Sequence, residues 1–214
     1  MPGSTGNRQS ALPRQYSMSF IEELVEIYAT RGFETFEGDR TTTQTSHALQ
    51  TAAIAEAEGA SAEMIVAALL HDIGRIINPD DREITDAGGD AKHEEVAREF
   101  LEPYFGPEVT MPIKWHVAAK RYLVATDPAY SKKVSPGSMR SMAGQGGVLL
   151  DEEIRAFIEQ PFAREGVTLR QWDDRAKSSE AETPPFEHFV PYLVACIKKQ
   201  DLRFPIANLS SDST

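Results

Sequence analysis

Residues 64–72 form the apolar run Met64-Ile65-Val66-Ala67-Ala68-Leu69-Leu70, which ends in the polar pair His71-Asp72. An apolar run of this kind, preceded by Ser61, predicts a buried helix that begins after the serine. Imidazole and carboxylate groups at the end of a buried helix are metal ligands. An aspartate has two oxygens, so Asp72 could bridge two ions while His71 binds only one. The run therefore predicts both a helical core and a metal site at its end.

The other histidines extend this pattern along the chain. Four of the five histidines and two aspartates fall into one order, namely His47, His71-Asp72, His93, His116 and Asp173. A lone histidine is more often a core or surface residue, but six candidate ligands in this order indicate a metal centre with enough donors for two ions. Mixed nitrogen and oxygen donors suit iron, manganese or zinc better than magnesium or calcium. His188 lies outside the pattern and is expected to be structural.

Composition limits the classes of partner. The chain has 214 residues and a formal net charge of −11, which disfavours nucleic acid and anionic membranes as partners because both attract basic surfaces. Cys196 is the single cysteine, so no internal disulfide is expected. No stretch approaches the roughly 20 apolar residues of a membrane span, and the N-terminus lacks an apolar signal-peptide region. These features predict a cytoplasmic protein.

Gly, Pro and capping residues mark the expected starts and ends of helices. They predict one all-α domain over residues 18–203, with a flexible arm at 1–17 and a tail at 204–214. Ser19 and Glu22 fit a capping box at the start of the first helix, and Gly32 fits its end. Residues 33–43 are expected to be irregular, 76–91 to form a loop, and 127–147 to form a long loop with one helical turn. A second helix is expected to carry His47 and end at Gly59, and a third to start after Ser61 and lead to His71-Asp72. Further helices are expected at 93–104, 108–123, 151–158 and 186–201, and one that carries 169–177.

Several longer stretches carry a family resemblance that spans roughly residues 44–190. They are Gln44, residues 67–72, His116-Val117-Ala118-Ala119-Lys120-Arg121-Tyr122-Leu123, Gln145-Gly146-Gly147 and Trp172-Asp173. Together with the ligand order, they resemble the mixed-valent diiron oxygenases of the HD superfamily, and among these the phosphonate dioxygenases. The resemblance implies an HD-domain helical bundle with a dinuclear metal site in its core, two irons as an Fe(II)/Fe(III) pair, and O2 as co-substrate.

The resemblance also implies a role for each residue. One iron would be held by His47, His71 and Asp173, with Asp174 as the adjacent alternative to Asp173. The other would be held by His93 and His116, and Asp72 would bridge the two irons as a catalytic residue.

A second group of residues would bind the substrate's phosphonate. Lys120, which is also expected to be catalytic, and Arg170 supply a point charge and a planar donor fork for this anion. Ser138, Ser141 and Gln145 would shape the same pocket. The alternatives are exposed solubilising charges for Lys120 and Arg170, and ordinary loop residues for the two serines.

Two departures from the family pattern bear on the substrate. Arg75 stands where the amino-substrate enzymes have histidine, and it would either contact the phosphonate or point to solvent. Those enzymes also carry a tyrosine that caps one iron and a glutamate that pairs with the substrate ammonium. With a one-residue shift, Phe36 and Asp39 take these places; without it, Arg40 falls at the glutamate position. An aromatic ring near a carboxylate suits a quaternary ammonium, although Phe33 and Phe36 could equally be core residues.

The resulting functional prediction is O2-dependent cleavage of the C–P bond of (R)-1-hydroxy-2-(trimethylammonio)ethylphosphonate, giving glycine betaine and phosphate in organophosphonate catabolism. The partner is thus a small hydroxyphosphonate, with no nucleic acid and no membrane. One alternative is 2-amino-1-hydroxyethylphosphonate as substrate, giving glycine. Others are an HD phosphohydrolase, and a regulatory HD module that has no enzymatic activity.

Overall fold

The computed structural model describes residues 19–33, 42–179 and 181–198. Within these ranges all regular secondary structure is helical, apart from isolated bridges such as that between Phe105 and Ile197, which confirms the all-α prediction. The expected arm at 1–17, the tail at 204–214, and Phe36, Asp39 and Arg40 lie outside the described residues. In chain order the helices are α1 (Phe20–Arg31), α2 (Gln44–Ala57), α3 (Ala62–Leu70), α4 (Ile73–Ile77), α5 (Asp81–Asp86), α6 (His93–Leu101), α7 (Pro107–Thr126), α8 (Pro128–Ser131), α9 (Pro136–Gly144), α10 (Asp151–Ile158), α11 (Ala163–Arg175) and α12 (Phe186–Cys196).

Local signals fix the starts of the first and third helices. The backbone N–H of Ser19 donates to Glu22 Oε2 at 2.7 Å, and the backbone N–H of Glu22 donates to Ser19 Oγ at 3.3 Å. This is the predicted capping box, and Gly32 is the C-cap of α1. Ser61 caps α3 by accepting from the backbone N–H of Met64. Both helices therefore begin where the capping residues predict.

Helix α3 lies at the centre of the main hydrophobic core. Residues 65–70 are all buried, and α3 contacts α2, α7, α11 and α12. The Tyr28 hydroxyl of α1 donates to the Leu69 carbonyl at 2.8 Å, near the end of the helix. Full burial of each leucine, isoleucine or valine contributes about 1.5–3 kcal/mol. Burial of α3 thus places His71 and Asp72 in the middle of the bundle.

Two segments expected to be loops contain helices, so those predictions were wrong in part. Residues 76–91 include the end of α4 and all of α5, and residues 127–147 include α8 and α9. Pro128 and Pro136 occupy first-turn positions of α8 and α9, after the capping residues Asp127 and Ser135. Proline is favoured at this position because its missing N–H has no partner there. The prolines therefore start these helices rather than interrupting a loop.

Two later helix boundaries also differ from the prediction. Helix α11 begins at Ala163, earlier than the predicted Leu169. Helix α12 ends at Cys196 rather than near residue 201, because Ile197 adopts an extended conformation and bridges to Phe105. None of the helices in the described residues is long and apolar enough to cross a membrane.

Close backbone approach brings two helix pairs together near the histidines. A Cβ atom added to Gly74 of α4 would lie 2.0 Å from the carbonyl oxygen of His93. A Cβ atom added to Gly166 of α11 would lie 2.7 Å from Cβ of Trp115 on α7. Only glycine fits at such distances. These contacts set the spacing of α4 on α6 and of α11 on α7, the helices that carry the site.

Candidate metal centre

The six predicted ligands converge from four different helices and the α3–α4 junction. His47 lies on α2, His71 and Asp72 lie between α3 and α4, His93 begins α6, His116 lies within α7 and Asp173 lies on α11. Each of the six is at most 5% exposed to solvent. Buried imidazoles and carboxylates at this density need compensating partners or a metal ion.

The donor atoms form two pairs of histidines that share one carboxylate. Nε2 of His47 lies 3.2 Å from Nε2 of His71, and Nε2 of His93 lies 3.1 Å from Nε2 of His116. Oδ2 of Asp72 is 3.7 Å from His71 Nε2, whereas Oδ1 is 3.2 Å from His93 Nε2. Each pair together with Asp72 forms a cluster able to hold one metal ion.

Hydrogen bonds on the far side of the rings orient these nitrogens. Nδ1 of His47, His71 and His116 lies within 2.9 Å of the carbonyl oxygens of Ala176, Ala68 and Ile113, respectively. An Nδ1–H that donates to a carbonyl leaves Nε2 with a lone pair. Two lone pairs facing each other at about 3 Å repel one another, unless a cation lies between them. The arrangement therefore fits a metal ion at the His47–His71 pair, where both rings have this bond.

Asp173 and its neighbour Asp174 have different surroundings. Oδ1 of Asp173 lies 3.3 Å from His47 Nε2 and has no hydrogen bond, while Oδ2 accepts from Nη1 of Arg170 at 2.8 Å. Asp174 is instead bonded to Tyr130, Arg170 and Lys177. The structure thus points Asp173, and not Asp174, at the histidines.

The protonation states of the buried groups match those of metal ligands. Burial lowers the pKa of His71 to about 4 and that of His93 to about 3. Burial opposes ionisation of Asp72, but His71 and Arg75 bring its pKa well below the usual range. Burial likewise opposes ionisation of Asp173, and Arg170 outweighs it, so that this pKa is also well below the usual range. Neutral imidazole and ionised carboxylate are the forms that bind metals.

A cleft lined by cationic side chains lies beside the histidines. Its lining includes Arg75, Lys120, Arg170, Ser138 and Ser141, together with Asp72, His93, His116 and Asp173. Lys120 is 3% exposed and Arg170 is 5% exposed, so the alternative of exposed solubilising charges is wrong for both.

Lys120 and the α9 segment contact each other directly within this cleft. Nζ of Lys120 donates to Oε1 of Gln145 at 2.6 Å and to Oγ of Ser141 at 3.1 Å. Oγ of Ser138 lies 3.4 Å from Nη2 of Arg170. The structure thus brings the five predicted phosphonate contacts together: Lys120, Arg170, Ser138 and Ser141 line the cleft, and Gln145 binds Lys120.

Arg75 does not point to solvent. Its Nε lies 3.4 Å from Oδ2 of Asp72, its Nη1 lies 3.3 Å from Oδ2 of Asp81, and its side chain is 11% exposed. The solvent alternative for Arg75 is therefore wrong. Phe33 is 68% exposed, so the core alternative is wrong for that residue as well.

Tyr130 and Asp81 are neighbours of the site that sequence reasoning missed. Asp81 binds Arg75 from α5, and Tyr130 binds Asp174 and Arg170 from α8. Both lie in segments expected to be loops, where no periodicity indicated a facing partner. His188 lies outside the cluster and binds Glu56, as its structural assignment predicted.

Comparisons with known proteins agree with this geometry. Residues 45–143 match the HD domain family. The chain is 37% identical over 181 residues to a [1-hydroxy-2-(trimethylamino)ethyl]phosphonate dioxygenase (glycine-betaine-forming) of Leisingera caerulea, covering 85% of this chain and 92% of the relative. It is 40% identical over 179 residues to a hydroxymethylphosphonate dioxygenase of Gimesia maris, covering 83% and 88%. The chain belongs to the HD-domain phosphonate dioxygenases.

A third relative is more distant in sequence. An uncharacterised protein of Acanthamoeba polyphaga mimivirus is 30% identical over 171 residues, covering 79% of this chain and 78% of the relative. Membership of the phosphonate dioxygenases makes the chain a metal-dependent oxidoreductase that cleaves a carbon–phosphorus bond. It weighs against the phosphohydrolase and the regulatory module.

Proposed function

We propose that this phosphonate dioxygenase acts on (R)-1-hydroxy-2-(trimethylammonio)ethylphosphonate and forms glycine betaine and phosphate, with two iron ions as cofactor. The observation that carries the proposal is the adjacency of two sites. A paired set of metal donors that shares Asp72 opens directly onto a cleft lined by Lys120, Arg170 and Arg75. Such a cleft suits a phosphonate, which is a dianion or nearly so.

The proposed metal ligands follow the geometry of the two donor clusters. His47, His71 and Asp173 would hold one iron, His93 and His116 would hold the other, and Asp72 would be the ligand shared by both. A mixed-valent iron pair would supply Lewis acidity toward the substrate oxygens and a redox centre for O2, while the substrate provides the electrons overall. The carbonyl bonds of His47, His71 and His116 keep their Nε2 atoms directed at the metals.

The protein's own side chains bind and orient the phosphonate. Lys120 is fixed by Gln145 and Ser141, so its ammonium is presented without rotation of a long flexible chain. Arg170 supplies a planar donor group on the other side of the cleft. Arg75 adds a third cation next to Asp72. Together these groups compensate for the acidic charge of the protein around an anionic substrate.

The reaction is balanced without any reductant. A 1-hydroxyphosphonate and one O2 give a carboxylate, hydrogen phosphate and one proton. The C–P, C1–H and O–O bonds break, one new C1–O bond and one new P–O bond form, and the substrate is oxidised by four electrons as O2 is reduced. Phosphate is the leaving group, and Lys120 and Arg170 contact its oxygens throughout.

In this proposal the aromatic ring of Phe36 and the carboxylate of Asp39 bind the trimethylammonium group of the substrate. The Leisingera caerulea relative is named for this substrate. Hydroxymethylphosphonate is a second candidate, because the Gimesia maris relative is named for it at a similar identity. This smaller substrate has no ammonium group, so it requires neither Phe36 nor Asp39. The third candidate is 2-amino-1-hydroxyethylphosphonate.

We further propose that one catalytic domain, residues 18–203, with an arm at 1–17 and a tail at 204–214, performs this reaction in the cytoplasm. Its partner is a small hydroxyphosphonate, with no role for nucleic acid or membranes. The residues described within that range form one bundle around the metal cluster.

The test compares three substrates on iron-loaded protein, each in air and under argon. We expect phosphate release to require O2 and the trimethylammonium substrate to have the highest kcat/KM. In that case Phe36→Ala and Asp39→Asn should lower kcat/KM for the trimethylammonium substrate far more than for hydroxymethylphosphonate. A higher kcat/KM for hydroxymethylphosphonate would overturn the substrate assignment. Phosphate release under argon would overturn the oxygenase.

A further inference from the structure

A hydrogen-bonded network supports Arg170 from the side facing away from the histidines. The Tyr130 hydroxyl donates to Oδ2 of Asp174 at 2.5 Å and accepts from Nε of Arg170 at 3.3 Å. Nε of Arg170 also lies 3.0 Å from Oδ2 of Asp174, and Nη2 binds Oδ1 of the same carboxylate. Nη1 donates to Oδ2 of Asp173 at 2.8 Å. All three guanidinium nitrogens thus have fixed partners.

The guanidinium nitrogens of Arg170 are divided between the carboxylates of Asp173 and Asp174, and this division affects how Asp173 faces His47. Arg170 lies three residues before Asp173 and four before Asp174, so both carboxylates are within reach on α11. An arginine can bind one carboxylate with two parallel bonds. Asp174 takes up two of the three nitrogens in this way, which leaves a single bond to Asp173. Oδ1 of Asp173 therefore remains directed at His47.

Tyr130 connects this network to the opposite wall of the cleft. It lies on α8, and the same segment continues into α9, which carries Ser138 and Ser141. Nη2 of Arg170 lies 3.4 Å from Ser138 Oγ, so α9 and α11 meet at the guanidinium. Burial raises the pKa of Tyr130 above its usual value, which keeps the phenol protonated and able to donate.

We propose that Asp174 and Tyr130 are positioning residues that hold the guanidinium of Arg170 in place. Held in this way, Nη1 of Arg170 orients Asp173, and the guanidinium presents its remaining N–H bonds to the phosphonate. The inference rests on the proposed role of Arg170 as a phosphonate ligand. Neither Asp174 nor Tyr130 contacts substrate in this arrangement. Their effect passes through Arg170, and it appears as anion affinity rather than as metal content because the bond from Nη1 to Asp173 involves neither neighbour.

The test uses Tyr130→Phe and Asp174→Asn in the full chain loaded with iron. Binding of inorganic phosphate is measured by calorimetry under argon, alongside iron content and the KM and kcat for the hydroxyphosphonate. We expect Tyr130→Phe to weaken phosphate binding and raise KM by about tenfold, the effect of losing a hydrogen bond to a charged group. Asp174→Asn should have a larger effect. Iron content should stay unchanged, and kcat should change by less than about threefold.

Tyr192→Phe is the matched control. Its hydroxyl donates to Oε1 of Glu56 at 2.6 Å, in a tyrosine–carboxylate pair that lies on α12 and α2, away from the cleft. We expect this variant to have the phosphate affinity and KM of the unmodified protein. Equal losses of affinity in Tyr192→Phe and Tyr130→Phe would overturn the proposal, because they would show a general effect of removing a tyrosine hydroxyl that donates to a carboxylate.

A double-variant cycle separates this inference from the proposed function. Lysine cannot be held by a two-bond carboxylate contact, so Tyr130→Phe should have little further effect in an Arg170→Lys background. If Arg170→Lys weakens phosphate binding but Tyr130→Phe leaves it within twofold, the positioning role is wrong and the phosphonate site stands. If Arg170→Lys itself leaves phosphate affinity unchanged, the proposed phosphonate site is wrong and the inference falls with it. Because the binding assay needs no turnover, a failure of O2-dependent activity remains a separate result.

Discussion

Nε2 of His93 lies 3.2 Å from Oδ1 of Asp72, while the other oxygen of that carboxylate faces His71 at 3.7 Å. One side chain at the end of α3 thus lies between two pairs of imidazoles. The two histidines of each pair come from different parts of the bundle, and Asp72 belongs to both clusters. This position makes Asp72 the residue on which a dinuclear centre depends most.

Replacing Asp72 with alanine should abolish assembly of the metal pair. We expect iron content to fall well below two per chain and O2-dependent phosphate release to fall by more than about 100-fold, beyond the typical effect of losing a residue that merely supports a metal ligand. Iron analysis and a phosphate assay measure both quantities. Asp151→Asn, a change in an exposed helix-terminal aspartate, is the control. Full iron content and turnover in the Asp72 variant would exclude a bridging role.

Lys120→Ala should weaken substrate binding and leave the metals in place. Its ammonium lies in the cleft and is held by Gln145 and Ser141. Loss of a charged hydrogen bond costs about 1.5–3 kcal/mol, so we expect KM to rise by about ten- to a hundredfold. Lys114→Ala removes a lysine from the same helix whose ammonium contacts Glu95 instead. That control should keep the original KM; an unaltered KM in Lys120→Ala would remove this residue from the phosphonate site.

Stability of the metal-free protein should depend on pH through the buried histidines. Burial lowers the pKa of His71 to about 4 and that of His93 to about 3, whereas an unfolded histidine titrates near about 6.5. Between these values the unfolded chain binds more protons, so the free energy of unfolding decreases as the pH falls. Two such groups give a slope approaching about 2.7 kcal/mol per pH unit between about pH 6 and pH 4.

Urea unfolding of chelator-treated protein at several pH values measures this slope. The stability should be fully present above about pH 6.5 and should be lost progressively below it. His71→Gln should reduce the slope by about half, since one of the two groups is gone. A free energy of unfolding that stays constant from pH 7 to pH 5 would show that these histidines are not buried in neutral form.

Gly74→Ala should damage both stability and the metal site. The added Cβ would lie 2.0 Å from the His93 carbonyl oxygen, so α4 and α6 must move apart. Overpacking of this kind costs about 1–3 kcal/mol, and it displaces Asp72 relative to His93. We expect a lower melting temperature and a lower iron content. Gly59→Ala is the control, because its Cβ would meet nothing within 4 Å despite a φ of +71°; it should cost less and retain iron.

The sequence was sufficient to predict the buried helix that carries His71 and Asp72, and the structure brings the candidate ligands of the sequence pattern together around it. An apolar run that ends in His71-Asp72 has one stable placement, with the run buried and the pair at the centre of a bundle. The capping residues Ser19 and Ser61 mark helix starts because their side chains bind specific backbone N–H groups. The capping residues and the apolar pattern predict the same helices, and these helices are present in the structure.

The sequence was not sufficient where tertiary contacts decide the structure. Residues 127–147 are rich in glycine and proline, yet Pro128 and Pro136 begin helices there. Arg75 shows no sequence feature that distinguishes a buried arginine from an exposed one; its burial depends on Asp72 and on Asp81 of the unpredicted α5. Tyr130 binds Asp174, 44 residues away, and periodicity carries no information on such pairs.

The most direct test of the account is the stoichiometry of O2 consumed to phosphate released by the iron-loaded protein acting on (R)-1-hydroxy-2-(trimethylammonio)ethylphosphonate. An oxygen electrode and a phosphate assay on the same sample provide both numbers. Oxidative cleavage of the C–P bond predicts one O2 consumed for each phosphate released, with glycine betaine formed in equal amount. Phosphate released without O2 consumption would contradict the account.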